Sequence, residues 1–141
     1  MDESGRQRWL RTVILLGVLY AVIGFAFGTF AGWSASDQMR GAWRLLAFLT
    51  SGVVFAVHIG YEHYRLNTSP LMTASHAAMA VAVGAFALAL AANIHDLRSA
   101  SGYRPRMLIA LAAWPLLTAV PAFVVALVAA AAPGLRRRKH L

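Results

Sequence analysis

The stretch FAVHIGYEHYRLN, residues 55–67, sets two histidines, a glutamate and an arginine at the end of an apolar run. Imidazole and carboxylate four residues apart on a helix lie on one face, and that pairing serves metal ligation, cofactor ligation or proton transfer. At 100° per residue, Tyr61, Glu62 and Arg65 lie about −60°, +40° and −20° from His58, so the four share a face. His63, at about 140°, points elsewhere. A further histidine, His76, falls about 7.5 Å into the next apolar segment, while His58 lies about 9 Å before the end of its own. On antiparallel neighbours the two are level within one turn and face each other.

Four readings follow. In the first, His58 and His76 are axial ligands of a b-type haem, or one of them holds a chlorin, with Arg65 pairing a propionate at the mouth. Helices at 8–10 Å separation leave little room for a macrocycle. In the second, His58, Glu62 and His76 bind a metal ion, although no H-E-x-x-H or E-x-x-H spacing supports them. In the third, Glu62 and the histidines begin a proton or ion path that Asn93, His95 and Asp96 complete near the opposite surface. The apolar run between Ala77 and Ala92 interrupts such a path. In the fourth the residues are structural: Glu62 pairs with Arg65 at i, i+3, and His58 and His76 bond each other or a backbone carbonyl. The structural reading asks least of the sequence. No G-x-S-x-G, P-loop or G-x-G-x-x-G occurs. Ser51, Thr73 and Ser75 near the histidines lack an oxyanion site, so the expectation is a protein that is not an enzyme.

The elements that must carry these residues are set by composition. The chain has 141 residues, is 60% hydrophobic and bears 13 basic and 5 acidic side chains. With a mean hydropathy of +0.62 it holds more apolar surface than a small soluble core can bury. The absence of cysteine excludes disulfides, thiolate nucleophiles and iron–sulfur ligation. Basic residues flank apolar segments in short clusters, which fits headgroups rather than nucleic acid. Helices of ~20 apolar residues cross a bilayer core. Four segments qualify, at 13–33, 43–64, 71–93 and 107–132, the last ended by Pro133 and Gly134. Short connections predict an all-α, up-down four-helix transmembrane bundle forming one domain, with sequential helices as antiparallel neighbours. Trp9, Trp33, Trp43, Tyr61, Tyr64 and Tyr103 mark the interfaces.

The first segment carries Gly17, Gly24, Gly28 and Gly32 along one stripe, a packing ridge for this bundle, for a second copy or for a partner chain. Leu16, Phe25, Phe27 and Phe30, distributed around the opposite face, read as lipid-facing. Nine alanines between Ala77 and Ala92 make the third helix smooth and suit it to contacts on several sides. Eight basic residues on the side of the tails against five on the other predict cytoplasmic termini. Arginine outnumbers lysine twelve to one, which together with the alanine usage points to a bacterial inner membrane. The expected role is a non-catalytic accessory or structural subunit of a larger membrane complex, respiratory or photosynthetic in kind. The alternatives are a haem, pigment or metal carrier ligated by His58 and His76, and a small transporter or proton-path protein using Glu62.

Overall fold

A computed structural model describes residues 3–66, 68–98 and 106–138, the side chains of residues 4, 5, 106, 107 and 133–138 excepted. It is all-helical: α1 spans Glu3–Trp33, α2 Asp37–Arg65, α3 Pro70–Arg98 and α4 Arg106–Arg138. Each contains a stretch long and apolar enough to cross a membrane. Each helix is longer than the apolar segment it carries, because the polar flanks continue the helical turns beyond the apolar core.

Local chemistry starts the helices where it should. Ser36, in extended conformation, accepts the Met39 amide at 3.2 Å and caps α2. Ser69 accepts the Met72 amide at 3.3 Å, and Pro70 opens α3, where its missing N–H removes nothing from the ladder. The C-terminal end of α4 differs from expectation. Pro133 and Gly134 do not end it, and the helix runs through both to Arg138. A proline deletes one amide rung, and the rungs on either side persist where no other backbone partner is offered.

The helices do not form an even ring. α3 runs through the middle, with α4 along one flank and α1 along another, and α1 and α4 make no contact among the described residues. Its most apolar window is 39% buried, against 11–22% for the other three, as its alanine content predicts. α2 rests chiefly on α1. It reaches the rest of the bundle through Phe55 and Ile59, which join Ala74 and Ala77 of α3 and Phe123, Ala126 and Leu127 of α4.

The α1 and α3 pair runs parallel, and its contact is more extensive than that between the sequential pair α2 and α3. Missing side chains explain the closeness. A Cβ on Gly84 would lie 2.7 Å from the Tyr20 Cβ and 2.9 Å from the Gly17 carbonyl oxygen. One on Gly17 would lie 2.5 Å from the Val83 Cγ1 and 3.2 Å from the Ala80 carbonyl oxygen. Two backbones meet there with nothing between them, and in lipid that van der Waals contact drives association. Gly24 lies under Leu88 in the same seam. A Cβ on Gly28 or Gly32 would meet nothing within 4 Å among the described residues, so the predicted ridge is divided: its first half is occupied by α3 and its second half is left uncovered by them. Phe27 and Phe30 are also not purely lipid-facing, since their rings lie 6.0 and 5.0 Å from that of Trp43 on α2.

Candidate functional site

The α2 to α3 turn fixes the site. The Thr68 hydroxyl donates to the Glu62 carbonyl oxygen at 3.0 Å, which satisfies one of the orphan carbonyls at the end of α2. The same hydroxyl lies 2.7 Å from that of Thr73, a fully buried residue whose amide donates to the Ser69 carbonyl oxygen at 2.9 Å. Glu62 and the first turns of α3 are thereby held in one hydrogen-bonded unit.

Within it, the Glu62 side chain points into the bundle and meets both histidines. The Nδ1 of His76 lies 2.7 Å from Oε2 and 2.9 Å from Oε1. An ionised carboxylate only accepts, so Nδ1 carries the hydrogen and donates. The Nε2 of His58 lies 3.4 Å from Oε1, an ion-pair distance without hydrogen-bond geometry. The side chains of His58 and Glu62 are 1% and 3% exposed, and that of His76 10%, so bulk water does not solvate the carboxylate. From α1, the Trp9 ring packs on the His76 imidazole with centroids 5.4 Å apart. The Trp9 indole nitrogen and both His58 ring nitrogens are buried without a hydrogen-bond partner among the described residues.

Helical phase thus places His58 and Glu62 correctly, and His76 arrives at their depth. The two histidines do not bond each other as expected; Glu62 stands between them. Tyr61 and Arg65 are exposed, so the shared face narrows to two residues. The expected Glu62 to Arg65 pair is absent among the described ion pairs. The carboxylate turns inward, where two imidazoles lie within reach, while Arg65, the last α2 residue, stays exposed. His63 leaves the cluster, as its phase predicts, and its ring lies 4.9 Å from that of Tyr64. Trp9 and Thr68 are the members that sequence reasoning missed, while Thr73, expected near the histidines, enters as the partner of the Thr68 hydroxyl. Trp9 read as an interfacial aromatic, and nothing in the spacing signalled a parallel α1 to α3 contact that would bring it to His76.

The geometry bears on each chemical reading. A tetrapyrrole between His58 and His76 would have to displace the carboxylate that already bridges them. No group of three His, Cys, Asp or Glu side chains among the described residues is disposed to hold a metal ion. Asn93 lies about 25 Å from His76 along α3, and its amide donates to the Ala89 carbonyl oxygen of its own helix at 2.8 Å. Grooves of about 430 and 230 Å³ open elsewhere, one lined by Ala82, Phe86, Leu111 and Pro115, the other by Leu88, Ala92, Asn93 and Trp114. Neither reaches the cluster. What remains is a dry acid–base group of one carboxylate and two imidazoles that ties α2 to α3. In comparisons with protein families, with curated proteins and with solved structures, the chain matches none.

Proposed function

We propose that this chain is a non-catalytic structural subunit of a larger assembly in a bacterial inner membrane, with both termini on the cytoplasmic side. The observation that carries the reading is the divided glycine ridge. Gly17 and Gly24 are filled by α3, whereas a Cβ added at Gly28 or Gly32 would meet nothing within 4 Å among the described residues, so α1 backbone is exposed there. In a bilayer such a stripe admits a second helix more closely than lipid chains pack against it. The two grooves of about 430 and 230 Å³ are lined by apolar side chains, Asn93 in the second excepted, which suits lipid or helix contact better than a polar substrate. The interior polar groups serve as ties between helices.

Extraction in a mild detergent followed by native electrophoresis tests this. The expected result is migration with other membrane chains or as several copies, and release of a single chain by the double variant Gly28→Leu, Gly32→Leu. A wild-type protein that runs as a stable monomer with nothing co-purifying sinks the proposal.

A further inference from the structure

We propose that the His58, Glu62 and His76 cluster is a proton-binding latch that closes the C-terminal end of α2 against α3. It stands whether or not the chain has partner subunits, since every group it uses lies within one bundle.

The argument begins with charge. Glu62 is 2% exposed, and the charged and titratable groups facing it can be enumerated helix by helix. α1 presents Trp9, which is neutral, while Arg8 and Arg11 are exposed. α2 presents His58; His63 lies on another side, and Arg65 is exposed. α3 presents His76 and Thr73, whose hydroxyl is engaged with Thr68, and the Ser75 hydroxyl is turned to the Leu71 carbonyl oxygen. α4 presents Phe123, Ala126 and Leu127, all apolar; the side chains of Arg136, Arg137 and Arg138 lie outside the description. No lysine or arginine among the described side chains therefore neutralises Glu62. The counter-charge within reach is a proton on an imidazole.

One proton beyond ionised Glu62 and two neutral histidines makes the cluster electrically neutral, and the contacts provide for it. His76 donates to both carboxylate oxygens, and His58, whose ring nitrogens have no hydrogen-bond partner among the described residues, sits at 3.4 Å as a second acceptor for that proton. Removing the proton leaves a bare carboxylate in a dry site, and adding a second leaves a net positive cluster there. A buried net charge of either sign is relieved when water enters, and water enters when the end of α2 leaves α3. The closed latch is accordingly the one-proton state. Opening it uncovers Ala74 and Ala77, which are fully buried in the cluster with Ile59.

The chain has no cysteine, so single thiols report cleanly. Ala74→Cys in lipid nanodiscs is labelled with a maleimide from about pH 5 to about pH 8, with Ala35→Cys at an exposed position correcting for thiolate reactivity. The expected corrected rate passes through a minimum and rises roughly tenfold or more away from it, whereas in the Glu62→Gln background the alkaline rise is lost. A second measurement keeps the test open if Ala74→Cys misfolds. With Trp33, Trp43 and Trp114 replaced by Phe, the emission of Trp9 on the His76 ring is expected to step with pH, and the step to move or vanish in Glu62→Gln. A flat emission and labelling profile in the protein that keeps Glu62 overturns the latch, as does a profile that Glu62→Gln leaves unchanged.

Discussion

Glu62 is the residue on which the polar interior depends, because its carboxylate accepts from His76 of α3 and lies at ion-pair distance from His58 of its own helix. Truncating it to Ala leaves His58 and His76 buried without their partner, and breaking a buried pair from one side costs about 3–5 kcal/mol. Glu62→Gln keeps an acceptor for the His76 Nδ1–H and offers His58 a donor, so its cost falls to about 1–3 kcal/mol. Denaturant unfolding in mild micelles is expected to rank the variants wild type, Glu62→Gln, Glu62→Ala in falling stability. A Glu62→Ala protein as stable as wild type would remove the tie. His76→Ala is expected to cost more than His58→Ala, since the 2.7 Å bond is lost in the first and a 3.4 Å contact in the second. Half of this site was legible beforehand. Helical phase put His58 and Glu62 inside and His63 outside, but it treats a face as a wide sector. The sector that α3 covers is narrower and leaves Tyr61 and Arg65 in the open. The Trp9 to His76 contact was invisible, because it depends on which helices touch and not on the spacing within either.

Among elements, the parallel α1 and α3 seam is what joins α1 to the central helix, and its geometry distinguishes glycines that look alike in the sequence. Gly84→Ala puts a methyl group within 3 Å of the Tyr20 side chain and the Gly17 carbonyl oxygen, and the latter cannot rotate away. Overpacking of that kind costs about 1–3 kcal/mol and pushes α1 off α3. Gly17→Val makes the same demand from the other side, against Val83 and the Ala80 carbonyl oxygen. Gly28→Ala meets nothing, and replacing glycine within a helix gains about 0.5–1 kcal/mol, so the isolated bundle is expected to be unharmed or slightly stabilised. Thermal unfolding of the three variants in detergent checks the contrast, and equal losses at Gly84 and Gly28 would contradict the seam. The alanines of α3 announced a helix packed on several sides. The short connections predicted α2 and α4 as its neighbours: the contact with α4 is the most extensive in the bundle, but that with α2 is slight, and α1 takes its place where glycine meets glycine.

For the whole molecule the proposed orientation rests on charge outside the helices' apolar stretches. With four helices able to span, the proposed orientation puts both tails on one side, and the eight basic residues there exceed the opposite five largely through Arg136, Arg137, Arg138 and Lys139. Basic residues within short distances of a span resist translocation, whereas acidic ones matter little, so the count of Lys and Arg decides and not the net charge. Replacing those four by Gln leaves four against five, which removes the bias and slightly inverts it. The membrane-facing surface of the bundle is unchanged by this, so insertion itself is expected to survive and only its direction to become mixed. Ala35→Cys, in the exposed connection between α1 and α2, reports the side. In intact cells an impermeant maleimide is expected to label it fully when the tails are inside. In the four-fold Gln variant about half is expected to be labelled, the remainder reacting after the membrane is opened, as near-equal charge counts give no preference. Full labelling in both proteins would show that Arg6, Arg8 and Arg11 before the first span orient the chain without help from the last. Absence of labelling in the parent would reverse the orientation and place the Glu62 cluster at the outer face.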